Sequence, residues 1–422
     1  MFENSRFVVD SRQVTPGCVF VAIKGEKTDG HFYANEAINK GAAYVVAEKK
    51  LQHIPEEKLI TVNDTIEFLL SNAREKLKKH NPVVIGITGS NGKTTTKELL
   101  YQLLGKDRAF RNPGNLNTEI GLPLSILNEY NAEKFAILEM AMNKFGDIAR
   151  LCQIAMPHVA ILLNVGTAHR GIAGNQEMIL RGKLQLIENM QKNGTAIVLY
   201  DKKLLDRISL KPMVTFGYKK GDYQLVDYCY IDFSTKAFYK TPREQLIFNL
   251  KSIWNAGQLT NISAVLAALD ILGIDCNKNI LENFTPVAGR FRVMNCNGIY
   301  VVDDTYNASI ESFETAVETI KKLGKRSFAV VGSIKEQGKY SIETHRKLGE
   351  ILEKLDGVVV YNVDNEIEIM NCSKKIFASN SATEISDFLK RILIPGDVVL
   401  FKASRSVQIE KVLQIYTEEI RC

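Results

Sequence analysis

The densest chemistry in the chain lies at Gly86-Ile87-Thr88-Gly89-Ser90-Asn91-Gly92-Lys93-Thr94-Thr95. These small and glycine residues fall between an apolar run and a helical pattern. That is the setting of a phosphate-binding loop, because the first amides of a helix point at an anion. In this reading the backbone of Gly89, Asn91, Gly92, Lys93, Thr94 and Thr95 wraps a polyphosphate. The Lys93 ammonium lies against the terminal phosphates, and the Thr94 hydroxyl is a ligand for Mg²⁺. The widespread spacing has a glycine where this chain has Ile87, so the loop is a shortened variant beginning at Gly89. That departure points to particular ligases and away from GTPases. The alternative, a glycine-rich turn that merely opens a helix, has the strand, the lysine and the threonine against it.

Three more residues could join that chemistry. Glu139 ends the run FAILEM, where the carboxyl end of a neighbouring parallel strand offers a group to a metal beside the phosphates. His169 falls just past HVAILLN, so its ring can reach the same pole, although a lone histidine is more often structural than a ligand. Lys183 lies in the helical run that follows. As an ordinary lysine it belongs on a solvated face, and residue type alone does not select it over Lys192.

Such a loop needs a scaffold, and the chain has the matching rhythm. From residue 83 the β-branched runs VVIGIT, FAILEM, HVAILLN and AIVLY alternate with KTTTKELLYQLL and a helix over 175–190. This predicts βαβ units on a mostly parallel sheet. Ahead of it the Lys/Arg-rich, helix-like run SNAREKLKKHNP ends at Pro82, as a linker into a new domain does. A second strand–helix block starts near 298 with GIYVVDD and closes with DVVLFK. Residues 201–250, rich in Tyr and Lys with weak periodicity, are expected to form short antiparallel strands or loops. The expected fold class is α/β in three domains: 1–81, a central phosphate-loop domain over 82–289 with a mostly parallel sheet, and a smaller Rossmann-like domain over 290–422.

Length and composition agree. A chain of 422 residues with 45% hydrophobic and 24% charged side chains is ordinary globular material, long enough for two to four domains. The net charge of +6 is too mild for a nucleic-acid platform and suits anionic ligands. Seven scattered cysteines without a C-x-x-C pair predict reduced, mostly structural thiols and a cytoplasmic setting. No stretch approaches the roughly 18 apolar residues of a membrane span, and no signal peptide is read at the start.

Taken together, GSNGKTTTK and the segments below resemble the Mur ligase family, the ATP-dependent amide-forming ligases that build the peptidoglycan precursor stem. The resemblance runs over nearly the whole chain. Within the family it is nearest to the branch that adds D-alanyl-D-alanine to UDP-N-acetylmuramoyl-tripeptide. Asp10-Ser11-Arg12, PGCVFVAIKG and Asp29-Gly30-His31 are similar to that branch's UDP-sugar-binding module, which implies uridine and sugar contacts near Ser11 and Arg12. GNLNTEIGLP, with Asn115 and Asn117, resembles the loop that faces the substrates. LEMAMNKFGDI implies Mg²⁺ at Glu139, and NVGTAHRG contains the family histidine, here His169. RGKLQLI aligns with the segment whose lysine is carbamylated by CO₂ in several members, which falls on Lys183 and implies a second Mg²⁺ held with Glu139 and His169.

The likeness also implies that Asn261 lies beside the adenine and that Arg290 reaches the terminal phosphate. Asp303-Asp304-Thr305-Tyr306-Asn307-Ala308 resembles the third-domain motif of the D-Ala-D-Ala-adding branch, with Asp304 on the ribose and Tyr306 and Asn307 facing substrate. GSIKEQGKYSIETH and GDVVLFKASRS look like that branch's later motifs. The chain departs from the pattern at Gly257-Gln258 for His-Asn, Leu184-Gln185 for Gly-Glu, Ser309-Ile310 for Asn-Pro, Ser333 for Asp and Ala403 for Gly. The D-N-P-R run of the diaminopimelate- or lysine-adding sister is absent.

The implied reaction is phosphorylation of the tripeptide carboxylate by ATP, then attack of the D-Ala-D-Ala amine on the acyl phosphate, with Lys93, His169, Lys183 and Arg290 as the reactive set. The third domain is expected to bind the dipeptide and ribose and to close on the central one. His345 is a candidate base for the amine. The expected partners are small molecules, with no nucleic acid and no membrane insertion, and the chain is expected to act as a monomer. The alternatives are another amino-acid ligase of the superfamily, such as a folylpolyglutamate type, or a silent nucleotide-binding homologue.

Overall fold

Asn81 turns left-handed at φ 46 and Pro82 cannot continue a helix, so the helix Thr65–His80 stops there. It begins earlier than the basic run that suggested it, because the Asp64 carboxylate caps it by accepting from Ile66 N and Glu67 N at 2.7 and 2.8 Å. The computed structural model describes residues 2, 5–25, 27–166, 171, 174–208, 212–420 and 422. The expected α/β class holds throughout, on three sheets.

The first sheet is parallel and runs in chain order: Phe7–Val8, Val19–Val21, Tyr44–Ala47, Leu59–Thr61. It does not stand apart from its neighbour. Phe7, Val19 and Val46 share one apolar core with Leu69, Leu70 and Leu77 of the capped helix and with Leu122, Ile126 and Tyr130 of the next unit. Polar bonds follow the same seam. Asn128 accepts from Phe7 N at 2.7 Å and donates to Phe7 O at 2.9 Å, pairing with the strand edge as a backbone would. Lys76 Nζ donates to the Ile126 and Leu127 carbonyls, near the end of the helix Gly121–Glu129.

The central sheet has nine strands. In spatial order they are Gln245–Leu250, Ser234–Lys240, Tyr223–Ile231, Met213–Tyr218, Thr195–Leu199, Val159–Leu162, Val83–Thr88, Phe135–Glu139 and Ala109–Arg111. From Ala109–Arg111 to Met213–Tyr218 the pairing is parallel. The chain leaves Val83–Thr88 toward one edge and returns to its other side at Val159–Leu162. The strand order therefore reverses beside Val83–Thr88, where a parallel sheet opens a crevice at its carboxyl ends. The stretch expected to form short antiparallel strands or loops holds four strands among its described residues: Met213–Tyr218 pairs in parallel with Tyr223–Ile231, and Ser234–Lys240 is antiparallel to both Tyr223–Ile231 and Gln245–Leu250.

The third sheet runs Arg292–Cys296, Ile299–Asp303, Val398–Lys402, Ser327–Val331, Gly357–Tyr361, Lys375–Ser379, parallel except for its first pair. Apolar clusters cover both faces, one around Phe313, Leu348 and Val360 and one around Phe401, Ile385 and Tyr416. The edge strand Lys375–Ser379 is poor in buried side chains, which is why its sequence gave no strand signal. The expectation of reduced cysteines fails at one pair: Cys296 and Cys422 are joined across 126 residues. The helix Glu410–Glu419 brings the chain end there, and Asn297 Nδ2 donates to Ile420 O at 2.8 Å. The other five are free thiols, and burial pushes that of Cys152 up to about 12.

Candidate active site

The helix Lys93–Leu104 starts directly after the loop, and Gly92 makes the turn possible. Its φ is +86, and a Cβ there would lie 2.0 Å from Asn261 Nδ2. Only glycine meets both conditions. The neighbouring strand holds the loop in shape: Asn164 accepts from Asn91 N and donates to Asn91 O, both at 2.9 Å. Ser90 Oγ accepts from Gly166 N at 2.8 Å. Lys93 Nζ folds back over the loop and donates to Gly89 O at 2.7 Å. Desolvation lowers the Lys93 pKa, while Glu139 opposes that shift and Arg290 adds to it.

Glu139 sits at the end of its strand, 1% exposed, in a polar network that also shapes the 112–117 loop. Asn112 Oδ1 accepts from Glu139 N at 2.8 Å, and its Nδ2 donates to Leu116 O at 2.8 Å and Glu139 O at 3.2 Å. Asn117 Nδ2 donates to Glu139 Oε1 at 2.8 Å. The other oxygen, Oε2, has no hydrogen-bond partner and lies 3.3 Å from Lys97 Nζ. Lys97 in turn donates to the carbonyls of Asn112 and Gly114 at 2.7 and 2.8 Å. Burial would raise the Glu139 pKa, but Lys97, Lys93, Arg290 and the Asn117 amide outweigh it and hold the carboxyl below its ordinary value.

The third sheet completes the site. Arg290 Nη2 donates to Thr94 Oγ1 at 3.2 Å and its guanidinium covers the Tyr306 ring at 3.5 Å. Asn91 Nδ2 donates to Ser309 Oγ, 3.2 Å away. Asp304 receives Lys402 Nζ at 2.6 Å, yet burial raises its carboxyl above the usual range. Burial likewise lowers the Arg290 pKa, against Glu139, Tyr306 and Asp304.

One cleft of about 540 Å³ gathers these groups. Of the expected site residues it is lined by Asn91, Gly92, Lys93, Thr94, Thr95, Asn115, Asn117, Glu139, Asn261, Arg290, Asp304, Tyr306 and Asn307. Gly89 supports it from behind through its carbonyl. Lys183 is buried in the helix Gln176–Glu188, where desolvation and then Lys93 push its pKa well down. His169 lies outside the described residues. Ser11 and Arg12 are on the first domain, away from the cleft: Ser11 Oγ donates to Glu36 at 3.1 Å, and Arg12 pairs with Asp10 at 2.7 Å.

His345 is corrected. It is fully buried, its Nε2 accepts from Ile334 N at 3.2 Å and its Nδ1 faces Ser341 O at 2.9 Å, so both ring nitrogens are engaged by backbone and neither is available to an amine. The departures turn out to be wired into the structure. Gln258 Nε2 donates to Arg290 O at 2.8 Å, Ser309 caps the helix Ile310–Ile320, and Ser333 donates to Asp364 at 2.7 Å. Lys97, Asn112 and Asn164 were not foreseen. The available signals were that Lys97 lies one turn along the helix from Lys93 and that Asn164 opens NVGTAHRG.

A phosphate loop at the switch point of a parallel sheet, faced across one cleft by an arginine from a second α/β unit, defines a three-domain protein built for transfer from a bound polyphosphate. The comparisons sharpen that class. The Mur ligase middle domain matches residues 87–269, the Mur ligase glutamate ligase domain 289–405 and the Mur ligase family catalytic domain 7–79. The UDP-N-acetylmuramoyl-tripeptide--D-alanyl-D-alanine ligase of Bacillus subtilis (strain 168) is 30% identical over 96% of this chain and 91% of its own. The ligase of the same name from Synechocystis sp. is 31% identical over 94% and 88%. Among solved structures, the MurF ligase from Thermotoga maritima in complex with ADP has 42% identity and a TM-score of 0.95, covering 100% of this chain and 99% of that one. MurF from Acinetobacter baumannii, at 26% identity, has a TM-score of 0.90 with 98% and 93% covered. The chain belongs to the Mur ligase family. Among the described residues no helix is long and apolar enough to cross a membrane.

Proposed function

We propose that this chain is an ATP-dependent ligase that joins D-alanyl-D-alanine to UDP-N-acetylmuramoyl-tripeptide in peptidoglycan precursor synthesis, acting in the cytoplasm as a monomer on small-molecule substrates. The observation that carries the reading is Arg290 on Thr94: a cation from the bend that leads into the third sheet meets the phosphate loop in the cleft that also holds Glu139. The likeness to the ligases named above, over nearly the full length of each, supports the substrates.

A carboxylate is a poor electrophile, so its oxygen must first become a leaving group. The tripeptide carboxylate attacks the γ-phosphorus of ATP, ADP departs, and an acyl phosphate forms. The loop amides from Asn91 to Thr95, Lys93 and Arg290 offset charge on the transferring oxygens. The amine of D-Ala-D-Ala then adds to the acyl carbon, and phosphate leaves as the amide forms. Asn261 and Asp304 are proposed contacts of the nucleoside, Asn115, Asn117, Tyr306 and Asn307 of the reacting peptides, and Ser11 and Arg12 of the distant uridine end. The three units, taken as 1–81, 82–289 and 290–422, would then serve acceptor, nucleotide and amine.

Thr94 and Glu139 are the residues that would hold Mg²⁺, and the buried Glu139 Oε2, which accepts no hydrogen bond and faces Lys97 at 3.3 Å, fits that use. The ion supplies positive charge beside the phosphates when bound. A carbamate on Lys183 fits the same electrostatics, since the site disfavours an ammonium there and an anion would answer Lys93. With His169 it would provide for a second Mg²⁺. The assignment is tested by mass analysis of the product formed from ATP, Mg²⁺, the UDP-tripeptide and D-Ala-D-Ala: a pentapeptide supports it, and an unchanged tripeptide rejects it.

A further inference from the structure

The side chain of Arg290 is aimed by a backbone that three other side chains hold. Gly289 N donates to Asp303 Oδ2 at 2.7 Å, Phe291 N to Asp304 Oδ1 at 3.0 Å, and the Arg290 carbonyl accepts from Gln258 Nε2 at 2.8 Å. The peptide groups of residues 289–291 are thus fixed from two directions, by the end of the strand Ile299–Asp303 and by the start of the helix Ala256–Ile271. The path they hold is an unusual one. Gly289 and Phe291 are both left-handed, at φ +75 and +53, on either side of Arg290. A non-glycine residue keeps such a conformation only where its surroundings over-determine it. Phe291 is anchored by its ring, which is buried with Ile253, Val302 and Phe313. The resulting kink throws the Arg290 guanidinium across Tyr306 and onto Thr94.

The two outer clamps are themselves locked. Gln258 closes a capping box with Asn255, accepting from Asn255 N at 3.0 Å while Asn255 Oδ1 accepts from Gln258 N at 2.9 Å. Asp303, 8% exposed, takes Thr305 Oγ1 on its second oxygen at 2.7 Å and is not among the side chains that line the cleft. Gln258 does line the cleft, but its amide is turned onto the Arg290 carbonyl and the Asn255 cap.

We propose that Gln258 and Asp303 are positioning residues that set the reach of Arg290 into the cleft, one from the central unit and one from the third, so that the arginine is aimed only when both units are in register. This rests on the phosphate-facing role of Arg290 given above. It also makes a substitution that departs from the family pattern, Gln258, part of the device.

The test is a double-mutant cycle on the full-length enzyme, reading kcat for phosphate release at saturating substrates and, separately, ADP affinity by calorimetry. Gln258→Met and Asp303→Asn should each lower kcat by roughly tenfold or more, as displacement of a transition-state group does. ADP, which lacks the terminal phosphate, should bind each variant within about threefold of the parent. In an Arg290→Ala background the same substitutions should change kcat by less than about twofold, because the residue they act through is gone. A full multiplicative loss in that background overturns the proposal. An Arg290→Ala enzyme with unchanged kcat would instead overturn the role of Arg290 itself. Because the two variants lie in different units, one remains informative if thermal unfolding shows the other to be misfolded.

Discussion

Lys97 Nζ lies 3.3 Å from Glu139 Oε2, with both side chains buried. The lysine also donates to two carbonyls of the 112–117 loop, so one cation joins the strand end, the loop and the helix Lys93–Leu104. Lys97→Met should therefore take from the buried Glu139 carboxylate its paired cation and lower stability by about 3 kcal/mol. Urea unfolding at neutral pH measures this. A loss below about 1 kcal/mol would show that the pair does not hold the site.

Lys183 makes a prediction with a sign. Its folded pKa is depressed well below 10.5, so between the two values the unfolded chain binds a proton that the folded chain does not. Stability should then rise with pH across that window. In bicarbonate-free buffer, the difference in unfolding free energy between the parent and Lys183→Met should shift in favour of the parent as pH rises from 7 toward 10. Parallel curves would mean that the lysine is protonated in place.

The same burial bears on carbamylation. With ¹³C-bicarbonate added, the parent should show a carbamate carbon resonance that Lys183→Met lacks. Equal spectra for the two would remove the carbamate from the account.

Gly92 answers to geometry. Gly92→Ala meets a strained φ, worth about 1–2 kcal/mol, and the amide of Asn261 at 2.0 Å. ATP-dependent phosphate release should fall at least about a hundredfold while the far-ultraviolet dichroism is retained. Pairing it with Asn261→Ala should relieve the collision without restoring the parent rate. Full activity in Gly92→Ala alone would show that the loop does not need this turn.

Ser309 has two roles at once, capping the helix Ile310–Ile320 and accepting from Asn91 of the phosphate loop. Ser309→Ala should cost about 1 kcal/mol of stability through the lost cap. Thermal unfolding reads it, and an unchanged midpoint would deny the capping role.

What the residues disclosed, and what they withheld, divides along physical lines. The helix Lys93–Leu104 was legible because its apolar spacing follows a Gly-Lys-Thr start, and Glu139 because a carboxylate ends an otherwise apolar strand. Lys97 was not, since a lysine on an amphipathic helix is normally a solvated one. Only the fold turns the Asn112 and Gly114 carbonyls toward it. Gln258 was legible as a departure but not as a clamp, because its partner is a carbonyl 32 positions away. His345 looked reactive in the sequence, whereas the structure spends both its nitrogens on backbone. The Cys296–Cys422 pairing depends on where the last helix docks, which spacing does not encode.

The most direct measurement of the central claim is phosphate release from ATP with Mg²⁺ and UDP-N-acetylmuramoyl-tripeptide, with and without D-Ala-D-Ala. A ligase built as described releases phosphate in step with dipeptide consumed and nearly none without it. Release that is equal in both conditions, or absent from both, would contradict it.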